Sequence, residues 1–296
     1  MDLDLDHMLT QVRKGQWSVE DFDWRMPLAG AERLSARDRR EAGVALLFTA
    51  GLERQAARIF RLASHFAEDE RVREIYRLFH DDERRHAEAE IRLAHRYGAE
   101  WNDLPKVART IFKQISAELD RNDRGIHEFS AATIVLFELA LDGILIPTLK
   151  DMAKDPVQEA VFRRIDQDEA RHLAMDYWLL DARGRFFREQ GLERGVETLF
   201  GRQTPWRRVR GRAELALSFV GLLLAFGSMK LVIGRLHRKF TEPETIRRYV
   251  QRVEAVPRKA PAALSHPIYR SGLAGQRYIL SFVLAAAGRS PKVAQA

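Results

Sequence analysis

The sequence predicts an all-α protein: a four-helix bundle with a crossover helix and an additional helical C-terminal region. Three observations predict it. An Asp-Glu-x-Arg-His block occurs twice, from Asp82 to His86 and from Asp168 to His172, and its Glu and His stand three residues apart, on one face of a helix. A glutamate inside an apolar run precedes each block, Glu53 by 30 residues and Glu138 by 31, so matching residues of the two halves lie 85 or 86 apart. An aspartate suited to helix capping, Asp69 or Asp155, stands 14 residues before the block glutamate in both halves, so the duplication extends to helix register.

Residues 1–34 start acidic and mixed, MDLDLDHMLTQ, and read as an N-terminal arm or a short helix laid on the bundle. Ser35 opens a long helical pattern, SARDRREAGVALLFTAGLERQAARIFRLASHF, with Glu53 in its apolar middle. Asp69 opens the second helix, and Gly98 closes it after basic residues in the last turn, as helix C-termini favour. Residues 98–124 include an amphipathic helix after Pro105, a crossover long enough to join two helix hairpins end to far end. The third bundle helix starts near Gly125 or Ser130 and runs through TIVLFELALDGILIPTL with Glu138 inside it. Asp155 and Pro156 make an N-cap and N1 pair for the fourth, and Gln158 is placed for a capping box.

The bundle thus occupies 35–190. Residues 191–296 form a basic helical region with an apolar segment at 213–234, in which Glu214 and Lys230 are the only charges, while PRKAPAALSHP at 257–267 reads as a linker. About 20 apolar residues are needed to cross a bilayer. The segment is marginal for that, and three placements stay open: packed on the bundle or in a homodimer interface, lying in a membrane interface, or spanning. A second apolar stretch, YILSFVLAAAG from Tyr278, is suited to pack beside it.

The spacing carries chemistry. Four inward-facing helices place two Glu-x-x-His pairs and two more glutamates around one point, a donor set that holds two divalent metals in a bundle core. Metal cations offset carboxylates that are very costly to bury alone. A single Glu-x-x-His is usually a solvated helix face. The doubling at equal gaps, with two glutamates in apolar runs, is what points to metal.

Over roughly residues 40–190 these motifs resemble the ferritin-like di-iron carboxylate superfamily. The doubled Asp-Glu-x-Arg-His is most similar to the hydroxylase subunits of bacterial multicomponent monooxygenases, with acyl-carrier-protein desaturases and di-iron N-oxygenases as further relatives. The resemblance implies that Glu53, Glu83 and His86 ligate one iron and Glu138, Glu169 and His172 the other, with Glu83 and Glu169 as bridges. It also implies that Asp82 and Asp168 accept the free imidazole N–H groups and that Arg85 and Arg171 balance those aspartates. Read as residues alone, the arginines fit ordinary surface ion pairs equally well. Manganese in place of iron at one or both sites is compatible with the same ligands.

Two departures narrow the resemblance. Ribonucleotide reductase small subunits carry a radical tyrosine one turn past the first histidine, where this chain has Glu90, and some N-oxygenases carry a histidine one turn before the last Glu-x-x-His, where it has Ile165. Glu90 and Asp176, each four residues past a ligand histidine, are expected to back the ligands or form ion pairs at the hairpin ends, the alternative being that they tune the site or shuttle protons. Asp142 is expected to pair with Arg85 or Arg171, or to serve as a pocket acid near the metals. His65, His80, His95, His127, His237 and His266 fall outside the repeat and are expected on the surface.

Composition bounds the rest. At 296 residues, 46% hydrophobic and 31% charged, the chain is of globular type. It has no cysteine, which excludes disulfides, iron–sulfur clusters and thiolate metal sites and calls for an external electron donor. No basic and apolar leader pattern is visible, so the reading is cytoplasmic. Residues 183–296 hold 22 Lys and Arg against 7 Glu and no Asp; with +7 for the whole chain, residues 1–182 carry −8. A basic tail beside an apolar segment suits an anionic membrane surface, on the inner face. Nucleic acid is not expected as a partner, because no recognition module is visible.

The resemblance therefore implies a non-haem di-iron oxidoreductase, a hydroxylase, N-oxygenase or desaturase, that uses O2 on a hydrophobic small-molecule or acyl substrate. No catalytic side chain beyond the metal ligands is required. The alternatives are a ferritin-like iron-handling or peroxide-reducing protein without organic substrate, and a redox-silent assembly partner. A shared fold does not separate them.

Overall fold

The computed structural model describes residues 2–30, 33–150, 155–200, 221, 224–234, 238–239 and 242–286. The described residues are helical, without strands. Asp4 caps α1 (Leu5–Lys14) by accepting from the N–H groups of Asp6 and His7, and the helix buries Met8 and Val12. Ser35 caps α2 (Ala36–Phe66) and Asp69 caps α3 (Glu70–Arg96). Gly98, at φ 78°, then reverses the chain in the left-handed conformation that glycine adopts without cost.

α2 and α3 form a tight antiparallel hairpin, the most extensive helix pair among the described residues. Close approach at one end needs Gly43, where a Cβ would stand 2.6 Å from that of Ala99. The crossover is α4 (Lys106–Leu119), which runs parallel to α2 along its outer side. Gly51 admits the Phe112 ring, Ser116 donates to Gln55 at 3.1 Å, and Arg61 donates to Asp120 at 2.9 Å. The chain is thereby returned to the far end, where His127 stacks on Phe66.

From there α5 (Arg124–Ala140) runs back along α2 and passes through a π-helical turn, Leu141–Leu145, into α6 (Ile146–Lys150). The second half of the repeat is one residue longer than the first, and the extra residue falls between Glu138 and Asp155. A π turn, with its i→i+5 bonds, accommodates one added residue without rotating the flanking helix. Asp155 caps α7 (Pro156–Gln190), with Pro156 in the first turn. The Gln158 side chain does not complete a capping box: it donates to Leu149 O at 3.0 Å and accepts from the Tyr97 hydroxyl at 2.8 Å. These bonds tie the ends of α3, α6 and α7 together.

Beyond Gly191 come α8 (Leu192–Phe200), α9 (Pro243–Lys259) and α10 (Pro267–Ala286). α9 and α10 share an apolar core with α5 and α7, in which Tyr249, Val253, Val256 and Tyr269 meet Val135, Leu136, Leu139 and Leu180. The expected linker at 257–267 is instead docked. Pro257 lies inside α9, and Ala260, Ala262, Ala263 and His266 are buried. The Ala262 N–H donates to Asp181 at 2.8 Å over Gly184, so the small residues that suggested a linker are what allow close packing on α7.

Residues 213–220, 222 and 223 of the apolar segment 213–234 lie outside the described residues. Of its described part, Ala225, Met229 and Ile233 enter the core beside Phe48, while Leu224 and Leu231 are exposed. Among the described residues one helical run, Arg124–Lys150, is long and apolar enough to cross a membrane. Of its apolar 18-residue window, 71% is buried within the chain itself, as in a core helix.

Candidate metal centre

α2 contributes Glu53, α3 the block Asp82 to His86, α5 Glu138, and α7 the block Asp168 to His172. Glu53, Glu83, His86, Glu138, Glu169 and His172 are each no more than 2% exposed. Glu53, Glu83, His86 and Glu169 each bring one ligand atom within 4.8 Å of the others, so this buried group could hold a metal ion.

The two halves interlock. His172 Nδ1 is 2.9 Å from Glu83 Oε1 and 3.5 Å from Glu169 Oε2, and His86 Nδ1 is 3.2 Å from Glu169 Oε1 and 4.0 Å from Glu83 Oε2. Glu83 and Glu169 therefore stand between both imidazoles. Glu138 adjoins Glu169, and Glu53 adjoins Glu83. Close as they are, these atoms lack hydrogen-bond geometry: both oxygens of Glu53, Glu83 and Glu169, Oε2 of Glu138 and Nδ1 of both histidines are buried without a partner. Orphaned donors and acceptors aimed at common ground fit a cation between them, because leaving such groups unsatisfied is costly.

The far ring nitrogens are held crosswise. His86 Nε2 donates to Asp168 at 3.0 Å and His172 Nε2 to Asp82 at 3.4 Å, so each aspartate orients the histidine of the opposite half. Arg85 pairs with Asp82 and Arg171 with Asp168, one turn along their own helices. Both arginines are mostly buried, at 20% and 18% exposure, and are not surface pairs. The side chain of Asp142, weighed above as a partner for them, lies outside the described residues.

Electrostatics reports the same crowding. Burial raises Glu53, Glu83 and Glu138 above the ordinary carboxylate range, and at Glu83 and Glu138 the neighbouring carboxylates add to it. Burial also raises Glu169, but the two imidazoles outweigh it and hold this carboxyl low. Burial depresses both histidines, and the carboxylates reverse that, raising His86 well above its usual value and His172 to about 9. Without metal, protons take over part of the neutralisation.

Glu90 and Asp176 are buried beside the centre and form no ion pair among the described residues, contrary to the hairpin-end pairs expected of them. Burial pushes Asp176 up to about 8, against the opposing pull of His172. Of the unmatched histidines, His65 and His95 are exposed and His80 is half-buried, its Nδ1 2.8 Å from Ala57 O. His127 and His266 are buried, not on the surface, and His237 lies outside the described residues. A buried pair that sequence reasoning missed, Glu128 with Arg183 at 3.0 Å, sits beside His127.

Two further residues at the centre were also missed. Trp17 donates from Nε1 to Asp168 at 2.7 Å, and Gln16 from Nε2 to Asp82 at 3.0 Å. No local pattern marks them, since 151 residues separate Trp17 from Asp168. No family model matches the chain, and comparison with curated proteins finds no match. The protein is thus defined by what it contains: an all-helical chain around a buried Glu/His cluster able to hold metal.

Proposed function

We propose that this chain is a ferritin-like di-iron carboxylate protein that oxidises a hydrophobic small-molecule or acyl substrate with O2. One observation carries the reading: both oxygens of Glu53, Glu83 and Glu169, Oε2 of Glu138 and two imidazole Nδ1 atoms from a duplicated motif converge, buried and without a hydrogen-bond partner. The order hairpin, crossover helix, hairpin supports a ferritin-like bundle of α2, α3, α5 and α7. Two iron ions, or manganese at one or both sites, would supply Lewis acidity and the electrons exchanged with O2. Glu53, Glu83 and His86 would hold one ion, and Glu138, Glu169 and His172 the other.

The chain's own groups orient and shield. Asp82 and Asp168 fix the imidazole direction and leave Nδ1 free to ligate. Phe60 and Phe79 pack on the His172 ring at 5.1 and 4.2 Å and keep water from that side. Beside them a cavity of about 10 Å³, lined by Phe60, Tyr76, Ile134 and Asp176 among others, has room for about one water. An organic substrate entering there must displace side chains. Electrons come from an external donor, because the chain has no cysteine for an iron–sulfur or rubredoxin-type centre.

The test is anaerobic titration with Fe(II), metal analysis, and then O2 consumption with fatty-acyl and aromatic substrates and a chemical reductant. About two ions per chain are expected, as bundle sites of this type bind pairs, with loss of one or both in Glu83→Ala and Glu169→Ala. A double variant that still loads fully would overturn the ligand assignment. Consumption of O2 or peroxide that no organic substrate alters would favour iron handling instead.

A further inference from the structure

Residues 15–17 sit where the two halves of the repeat meet. Each aspartate of the centre already holds an imidazole on one side and an arginine on the other, and the N-terminal segment adds a third partner to both. Gln16 donates to Asp82 Oδ1 at 3.0 Å, and its own Oε1 accepts from Arg85 at 2.7 Å, so it bridges that ion pair. Trp17 donates at 2.7 Å to Asp168 Oδ2, the same oxygen that accepts from His86 at 3.0 Å. The indole also lies nearly parallel to the His86 ring, centroids 6.1 Å apart at 15°, and Arg85 sits 5.7 Å from its own centroid. Gly15 lies against Arg171, where a Cβ would be 2.4 Å from the guanidinium.

Gln16 thus serves the first half through Asp82 and Arg85, and Trp17 reaches both halves, through Asp168 of the second and His86 and Arg85 of the first. The segment is tied down by α1, whose Met8 and Val12 join an apolar cluster with Phe60, Ile75 and Phe79. Phe60 and Phe79 in turn contact His172. Docking of the arm and orientation of both imidazoles are therefore one packing event.

We propose that the N-terminal segment is a clamp on the metal centre, with Gln16 and Trp17 as positioning residues that set its metal affinity by holding Asp82 and Asp168 against the histidines. This rests on the metal-binding reading above. Groups that orient ligand histidines typically control affinity by roughly 10- to 100-fold. By linkage, whatever factor the docked arm adds to metal binding, bound metal adds to arm docking.

Arg13 and Lys14 are exposed immediately before the clamp, which makes trypsin a probe of its opening. In the unaltered protein, cleavage after Lys14 is compared with and without Fe(II) under anaerobic conditions, and Fe(II) affinity is measured by chelator competition. Gln16→Leu removes the bonds with Asp82, Arg85 and Val12, and Trp17→Phe removes the one to Asp168 while keeping a ring against His86. The inference expects Fe(II) to slow cleavage at Lys14 by about 10-fold or more, and each variant to bind Fe(II) on the order of 10-fold more weakly. Melting of the metal-free variants should stay close to that of the parent, which a merely structural role would not allow. If the parent binds Fe(II) but cleavage is unaffected and both variants bind as tightly, the clamp is overturned and the metal site stands. If the parent binds no Fe(II), the metal reading itself falls, and the clamp with it. The cleavage comparison needs no variant, so a variant that fails to fold does not remove the test.

Discussion

Asp82 and Asp168 each use both carboxylate oxygens, one facing an imidazole of the other half and one facing an arginine. An asparagine there must turn its NH2 toward a donor, so Asp82→Asn and Asp168→Asn should weaken metal binding by roughly 10- to 100-fold while the helices persist. Chelator competition alongside circular dichroism checks this, and unchanged affinity in both would detach the aspartates from the centre. Asp176 permits a test by pH. Its carboxyl is raised by burial from 3.8 to about 8, so the folded state holds that proton more tightly than the unfolded chain. Its contribution to stability is therefore fully present below pH 3.8 and is lost as pH rises through about 8. In the metal-free protein, Asp176→Asn should narrow the fall in urea midpoint between about pH 5 and about pH 8. An equally steep fall in the variant would mean that Asp176 is ionised in the folded state.

Among the elements, α7 does two jobs on different faces. Its first half presents Asp168, Glu169 and His172 to the centre, and its second half receives the turn between α9 and α10. Gly184 makes that second contact feasible, because a Cβ there would lie 2.0 Å from the carbonyl oxygen of Ala262. Backbone cannot yield as a flexible side-chain tip can. Gly184→Ala should destabilise the fold by about 1–3 kcal/mol, the usual cost of overpacking, read as a lower urea midpoint. Metal stoichiometry should be retained in the same protein, since the blocked contact lies three turns beyond His172. A parent-like midpoint would show that the turn is free to move off α7.

At the scale of the whole molecule, charge is divided between an acidic portion that carries the Glu/His cluster and a basic C-terminal third. Basic residues near an anionic bilayer contribute about 1 kcal/mol each. The chain is expected to co-sediment with phosphatidylserine vesicles at low salt and to be released as salt screens the attraction. Truncation from Thr204 is a poor test, because α9 and α10 share their core with α5 and α7. Replacement of Arg207, Arg208 and Arg210 by glutamine removes three positive charges without deleting a helix and should weaken sedimentation. No binding by the parent at low salt would remove the membrane surface from the list of partners and favour a soluble or carrier-bound substrate.

By itself the sequence determined the helical class, the helix starts at Ser35, Asp69 and Asp155, and the six Glu and His residues that converge. Those features repeat at fixed spacing along a helix, and helical periodicity is a local property that survives without tertiary context. Only the tertiary structure decided that each aspartate serves the opposite half's histidine, because that depends on α3 and α7 running antiparallel with the two blocks in register. It also decided that Gln16 and Trp17 complete the site, that the alanine-rich stretch at 257–267 is a docked turn, and that His127 and His266 are buried. Each is a contact between segments far apart in the chain. Small or polar residues read as solvent-facing until the surface that covers them is known.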